Sequence, residues 1–290
     1  MAMHWLKGWL VVAISAATVG CASVNGPSPD TLGAMSAPGA FDVAQNALGE
    51  ERYGDARNWF RKVLQAEPHN ERAKLGLAET YLGDGLRQDA LNLFDELASS
   101  PAVGAEALQG RGIALLAAGE EEAARTALEA AVTRDATLWR AWNALGLLFD
   151  GNQNWVAAAD AYAKAAAAAP ASAVPHNNWG VSLMTQERYE EAAERFARAI
   201  ALAPDSEATR TNLRLALAFQ GRYVEAMAGV QQEDIPTILN NIGYVAMLRG
   251  EKDRAKAYFL RSMELSPNFN ERAARNLQVL EGTESAAVYY

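Results

Sequence analysis

The side chains of this chain that could perform catalysis are few and scattered. Its histidines are His4, His69 and His176, and Cys21 is its single cysteine. Nucleophilic catalysis requires a nucleophile and a base that hydrogen-bond to each other, and the sequence offers no such pair. For His176 we expect a packing or groove-edge role, so no catalytic residue is assigned.

The sequence does not indicate a metal or nucleotide site either. Acidic pairs such as Glu120 and Glu121 fall in a polar turn, without histidine or cysteine companions at metal-ligand spacing. The Gly-x-Gly fragments at 83–85 and 110–112 lack the preceding strand that a dinucleotide site requires. We therefore expect no cofactor, no metal and no small-molecule substrate, and an enzyme is the least favoured functional class.

The charge balance argues against nucleic acid as a partner. The chain has 35 acidic and 26 basic residues and a net charge of −9. Nucleic-acid binding needs clustered Lys and Arg, with aromatic residues where bases stack, and no stretch has that composition. Mixed runs such as residues 187–191 are typical of solvated helix faces. Protein partners remain.

Two series of small residues repeat every 34 positions and must be placed by regular elements. Helices packed about 8–10 Å apart leave room only for small side chains where their axes come closest. Two series with one period predict a repeated helix-turn-helix unit. The series are Ala44, Ala78, Gly112, Gly146, Gly180 and Arg214, and Ala56, Ala90, Ala124, Ala158, Ala192 and Ala226. We expect Phe60, Phe94, Tyr162, Phe196 and Phe259 to fill the volume between units.

The unit at 139–172 resembles the tetratricopeptide repeat (TPR) pattern of W-x2-L-G-x2-Y, then A-x3-F, then P. It carries Trp142, Leu145, Gly146, Phe149, Ala158, Tyr162, Ala165 and Pro170 in that order. The resemblance implies an all-α fold, a right-handed superhelical solenoid of about seven repeats with a C-terminal capping helix. It would occupy 39–281, with units at 37–70, 71–104, 105–138, 139–172, 173–206, 207–235 and 236–269, a cap at 270–281 and a flexible tail at 282–290.

One unit is shorter than the others. After Arg214 and Ala226 the next small residues are Gly243 and Ala255, a step of 29 positions in both series. The missing residues fall before Pro236, so the second helix of unit 207–235 is predicted to be short. The other second helices are followed by prolines, which stop helix propagation; these are Pro68, Pro170, Pro204 and Pro267.

The N-terminus resembles a bacterial lipoprotein signal. A single lysine precedes an apolar run at 9–19 that is too short for a permanent membrane anchor. The motif Val19-Gly20-Cys21 resembles a lipobox, which implies removal of residues 1–20 and acylation of Cys21. Thr18 departs from the leucine usual in that motif, and an ordinary secreted protein cleaved nearby is the alternative.

The segment that follows predicts where the protein would reside. Residues 21–38 are rich in Pro, Gly and Ser, which indicates a flexible tether. Several acyl chains would hold the protein durably to a bilayer. Ala22 resembles the residue after the cysteine in lipoproteins sent to the outer membrane. We expect a cell-envelope protein, an outer-membrane lipoprotein that faces the periplasm.

A TPR superhelix binds partners in the groove lined by its first helices, and the family's groove positions carry over onto the last three units. Their side chains are apolar with a few amides, which suits a peptide segment. Asn178, Asn212 and Asn241 share a position at which TPR units tie adjacent helices. The predicted groove residues are Val174, Asn177, Val181, Met184, Thr185, Thr211, Leu215, Phe219, Asn240, Tyr244, Met247 and Leu248.

The combination of lipobox, tether and repeat array resembles the TadD-type lipoproteins of tight-adherence (Flp) pilus assembly. The run Glu233-Asp234-Ile235-Pro236, then Asn240-Asn241-Ile242-Gly243-Tyr244, is similar to their C-terminal region. This resemblance implies a non-enzymatic scaffold that assists assembly of the pilus secretin. The alternative is an envelope adaptor that recruits a peptidoglycan hydrolase or a protease.

Overall fold

The computed structural model describes residues 37–266 and 270–282. Within these residues the chain forms fifteen α-helices and no strand, so the all-helical prediction is confirmed. The helices belong to two compact units, one within residues 37–170 and one within residues 171–282. The predicted signal peptide 1–20, Cys21, Pro267 and the predicted tail beyond residue 282 lie outside the described residues.

The unit of residues 37–170 is built of four helical hairpins. Within each hairpin the two helices pack on each other, and each second helix also packs on the first helix of the next hairpin. Its helices are α1 (Ala37–Gly49), α2 (Tyr53–Ala66), α3 (Glu71–Gly83), α4 (Arg87–Leu97), α5 (Gly104–Ala118), α6 (Glu121–Arg134), α7 (Trp139–Gly151) and α8 (Trp155–Ala168).

The start of α1 corrects the predicted tether. The tether was expected to extend to Pro38, but α1 begins at Ala37. Pro38 lies in the first turn of that helix, where a missing backbone N–H removes no helical hydrogen bond. The helical array therefore begins at residue 37, as the first predicted unit 37–70 does, and the predicted tether ends before it.

The unit of residues 171–282 has three hairpins and a last single helix. Its helices are α9 (Val174–Thr185), α10 (Tyr189–Leu202), α11 (Glu207–Phe219), α12 (Tyr223–Ala226), α13 (Ile235–Leu248), α14 (Lys252–Leu265) and α15 (Glu271–Glu281). The last helix buries Ala273 and packs Leu277 and Leu280 against the hydrophobic core, while Glu271 and Gln278 are exposed. It covers the end of the core as a capping helix does.

The small residues lie where helices come closest. Ala44 and Ala78 of the first series have no exposed surface, and the same holds for every alanine of the second series from Ala56 to Ala226. A side chain larger than alanine would separate the helices at these points. The 34-residue period therefore records helix contacts.

Aromatic rings pack directly against Gly146 and Gly180 of the first series, and Leu128 packs against Gly112. A Cβ added at Gly180 would lie 2.6 Å from Cε1 of Phe196, and one at Gly146 would lie 2.5 Å from Cε1 of Tyr162. Phe60 reaches forward instead, to Gly76 in the next hairpin. Each of these rings is fully buried, so the core consists of rings held between closely packed helices.

The short unit, residues 207–235, differs from the other units at the position of this ring. Its second helix, α12, has four residues, as the sequence predicted. Val230 occupies the position that Phe196 has in the preceding unit, and it lies beyond the end of α12. Arg214 stands at the position that Gly180 has in the preceding unit; it is half-buried, and its Nε atom is buried without a hydrogen-bond partner among the described residues.

Local side chains fix several helix ends. Asn70, Asn154, Ser206 and Asn270 each accept a hydrogen bond from the backbone N–H three residues later, at 2.9 to 3.3 Å. Such caps satisfy a donor that has no partner inside the helix. Gly282 ends α15 in the left-handed region, with φ of 73°.

We predict that Ala158→Trp lowers the free energy of unfolding by about 1–3 kcal/mol, because Ala158 is fully buried at a helix contact. Ala163→Trp is the matched control, since Ala163 is exposed on the same helix. Urea unfolding followed by circular dichroism measures both. Equal midpoints for the two variants would show that position 158 is not a close contact.

Candidate protein-binding face

All twelve predicted groove residues lie on α9, α11 and α13, the first helices of three successive hairpins. These helices are neighbours in the 171–282 unit, and we call the side that they form the first-helix face. Leu248 is exposed, and seven others are half-buried. Those seven are Val174, Asn177, Thr185, Thr211, Leu215, Phe219 and Met247.

The other four predicted groove residues are buried. Val181, Met184 and Tyr244 are 5–7 % exposed and belong to the hydrophobic core of the unit, and Asn240 is 4 % exposed. A partner cannot reach these side chains unless the helices separate. Their expected direct contact is therefore corrected to a supporting role, and direct contact stays a prediction for the remaining eight.

On the first-helix face, accessible apolar side chains lie where α11 and α13 end. The rings of Phe219 and Tyr189 stack with their centroids 4.6 Å apart and their planes 9° from parallel. Leu248 is 52 % exposed, and the neighbouring Arg249 donates a hydrogen bond to the carbonyl oxygen of Phe219. We call Tyr189, Phe219 and Leu248 the apolar edge.

Sequence reasoning missed Tyr189 because it begins α10, a second helix, whereas the groove prediction considered first helices only. The 34-residue period of the sequence contained a signal for this position. Tyr53, Trp155, Tyr189 and Tyr223 all begin second helices at 34-residue multiples. The ring of Tyr53 packs against Gly83 of the next hairpin. Phe219 follows Tyr189 at the same spacing along the chain as Gly83 follows Tyr53.

Amide side chains connect successive first helices. The Oδ1 atom of Asn177 accepts from Oγ1 of Thr209 at 3.3 Å and from Nδ2 of Asn212 at 3.4 Å. The Oδ1 atom of Asn240 accepts from Nδ2 of Asn276 at 3.0 Å. These two asparagines were expected to face a partner, yet their carbonyl groups are already used to tie neighbouring helices.

A polar contact also crosses the first helices of the 37–170 unit. Arg140 on α7 reaches Glu79 on α3, with 3.6 Å between Nη1 and Oε1. Burial raises the pKa of Glu79, and the nearby Arg140 partly opposes that shift. Gln109 on the intervening α5 accepts a hydrogen bond from the backbone of Ala141 at 3.0 Å. Polar groups thus connect three hairpins.

The remaining candidates for chemistry are dispersed. His69, Glu120 and Glu121 are exposed. Within residues 37–266 and 270–282, no three His, Cys, Asp or Glu side chains are grouped so that they could hold a metal ion. In the same residues, no helix has the length and apolar character needed to cross a bilayer.

The stacked hairpins and their half-apolar face define a helical repeat protein that presents a surface to other molecules. The sequence matches models of the tetratricopeptide repeat at 47–102, 77–138, 110–173, 173–206 and 236–269. The chain belongs to the tetratricopeptide repeat family. Proteins of this family typically act as non-enzymatic scaffolds that bind other proteins.

Solved structures show the same fold at low sequence identity. The C-terminal part of a TPR protein from Cytophaga hutchinsonii is 19% identical, with a TM-score of 0.56, covering 82% of this chain and 99% of that one. A TPR protein from Parabacteroides merdae is 17% identical, with a TM-score of 0.51, covering 84% of this chain and 98% of that one. The pilF protein of Pseudomonas aeruginosa is also 17% identical, with a TM-score of 0.55, covering 74% of this chain and 97% of that one. No curated protein sequence matches the chain.

We predict that Asn276→Ala loosens the capping helix, because it leaves the buried Asn240 carbonyl without its donor. The loss should be about 1 kcal/mol or more, seen as faster native-state hydrogen exchange of the α15 amides. Arg272→Ala is the control, as Arg272 is exposed on the same helix. Identical protection of the α15 amides from exchange in both variants would show that the hydrogen bond between Asn276 and Asn240 does not hold α15.

Proposed function

We propose that this protein is a non-enzymatic scaffold whose 171–282 unit binds a segment of a partner protein along the first-helix face. The observation that carries the proposal is the apolar edge. Two stacked rings lie where α11 ends, and Leu248, which is 52 % exposed, is the last residue of α13, the next first helix, on a chain with a net charge of −9. Aromatic and aliphatic groups of this kind supply most of the binding energy at protein interfaces.

The proposed partner segment is a short apolar stretch and not a folded domain. Asn177 and Asn240 use their carbonyl oxygens within the repeat, so few free amides are left on the face to pair with a long peptide backbone. Met247 and Leu215 are half-buried beside the edge, and flexible methionine side chains adapt to different apolar shapes.

We further propose that the protein is an outer-membrane lipoprotein that faces the periplasm. The lipobox-like Val19-Gly20-Cys21 supports acylation of Cys21, and Ala22 supports sorting to the outer membrane. The described helical array begins at residue 37, so about sixteen residues separate Cys21 from the first helix. Extended, such a segment spans up to roughly 50 Å.

For the biological process we propose assembly of the secretin of an Flp-type pilus. Support comes from the resemblance of the lipobox, the array size and the 233–244 segment to TadD-type lipoproteins. The segment lies at the short unit, where α12 has four residues and Pro236 stands in the first turn of α13. The likeness to pilF is one of fold, because identity is 17%.

The second candidate is an envelope adaptor that brings a peptidoglycan hydrolase or a protease to its substrate. It would use the same anchor and the same apolar edge, and it differs only in the partner. The two functions are therefore separated by identifying what contacts Leu248 in cells.

We predict that a photo-crosslinking residue at position 248 captures a secretin in cells that express the full-length protein. Position 260 is the matched control, because Leu260 has a similar exposure of 47 % but lies on α14, a second helix. Mass spectrometry of the crosslinked bands identifies the partners. Capture of wall hydrolases without a secretin would replace the pilus function by the adaptor function, and equal capture at 248 and 260 would refute the apolar edge.

We predict that Cys21→Ser releases the protein from the membrane fraction and abolishes palmitate labelling, because the acyl chains supply the anchor. Ser23→Ala, two residues along, is the control and should behave as the wild type. Membrane fractionation with unchanged palmitate labelling in Cys21→Ser would refute the lipoprotein assignment, while the function of the apolar edge would stand.

A further inference from the structure

Three basic side chains without a carboxylate partner lie on the hairpin of α9 and α10. His176 is in the first turn of α9, Arg195 is in the middle of α10, and Arg198 is in its second half. Because the two helices of a hairpin run in opposite directions, the start of one lies beside the end of the other. Among the residues that the structure describes, neither arginine forms an ion pair, whereas Arg188 of the same helix pairs with Glu191 at 2.5 Å.

The donors of this cluster are available for an acceptor. Cζ of Arg195 lies 3.6 Å from the centroid of Trp179, so the guanidinium packs on the indole face. A guanidinium stacked in this way keeps the N–H groups at its edge free to donate. Nδ1 of His176 is buried and has no hydrogen-bond partner in the described part of the chain. A buried polar atom of this kind is costly to leave unpaired.

The electrostatic environment of His176 favours a negatively charged acceptor at this cluster. Burial lowers the pKa of His176, and the charges of Arg195 and Arg198 lower it further. These effects favour the neutral imidazole while the site is empty, because protonation would add a third positive charge. An anion placed among the three groups would remove that repulsion.

The repeat register shows what is unusual here. In unit 71–104 the positions equivalent to 176 and 198 are Lys74 and Glu96, which form an ion pair at 2.5 Å. In unit 139–172 they are Trp142 and Lys164, with the ammonium 4.5 Å from the ring centroid. In both units the cation has a partner across the hairpin, whereas Arg198 faces a histidine that offers no negative charge.

We propose that His176, Arg195 and Arg198 form a binding site for one carboxylate side chain of the partner segment. The proposal rests on the proposed function, since the carboxylate belongs to a bound protein. Two guanidinium groups match the two oxygens of one carboxylate, and a change of the His176 rotamer would bring its N–H to the same oxygens. Glu191 and Glu194 on the same helix disfavour an extended polyanionic surface such as a membrane. A partner with an acidic residue near its apolar stretch would satisfy the site.

The test needs no partner protein. N-acetylglutamate N-methylamide and its glutamine counterpart are titrated into the full chain at constant ionic strength. The indole N–H of Trp179 and the imidazole of His176 are followed by NMR. The glutamate compound should bind about tenfold more tightly than the glutamine compound, as expected for charge-assisted hydrogen bonds. Arg198→Gln should remove most of that preference, and Arg198→Lys should keep part of it.

Lys164→Gln is the matched control, because it removes the cation at the same position of the preceding unit, and it should change nothing. Arg198 is exposed, and circular dichroism checks that its variants are folded. Equal binding of both compounds, an undiminished preference in Arg198→Gln, or tighter binding of inorganic phosphate than of the glutamate compound would each overturn the proposal. Failure of the Leu248 crosslink would instead overturn the proposed function, so the two results are distinguishable.

Discussion

The close approach of the first and second helix within each hairpin is the constraint on which the rest of the structure depends. It depends on small residues at the contact, which are Ala44 and Ala78 in the first two hairpins and Gly146 and Gly180 where a fully buried ring lies opposite. Adding a methyl group would place it within 2.6 Å of the ring of Phe196 at position 180, which dense packing does not tolerate. Hairpins formed in this way cannot bury both faces alone, so each must stack on a neighbour. The same contact therefore determines the hairpin and the array.

The short unit shows what happens when one partner of that contact is missing. In this unit α12 is only four residues long, Val230 stands at the position of Phe196, and the long polar side chain of Arg214 is accommodated at the position of Gly180. Met227 and Val230 pack from the following segment against the core in place of a helix. The loss is local, because the contacts between α11 and α13 are retained. A repeat array tolerates a truncated element since each hairpin contacts only its neighbours.

Most of the fold could be predicted from the sequence, because helix contacts impose residue size directly. Ala78 and Ala158 must be small, and Pro68 and Pro170 follow helices that end at Ala66 and Ala168. The face was harder to predict. A helical position fixes the direction of a side chain, but its exposure depends on how closely the neighbouring helices pack. Val181 and Tyr244 point as expected and are nevertheless buried. Asn177 and its neighbour Asn178 were distinguishable only once Thr209 was placed beside Asn177.

Some side chains of the first-helix face pair within the repeat and others stay accessible, and this difference has a physical origin. Burying an amide requires hydrogen-bond partners, and successive first helices lie near enough to supply them. The buried amides are therefore hydrogen-bonded within the repeat array. What remains accessible on this face is apolar, as at Phe219 and Leu248. Arg198, on the second helix α10, has a charge without an ion-pair partner among the described residues. Apolar contacts contribute affinity but discriminate poorly between partners of similar shape. An unmatched charge in the same unit adds discrimination, because a partner without the complementary group leaves the charge unsatisfied. Specificity in such an array therefore resides at the few positions where the repeat pattern is broken.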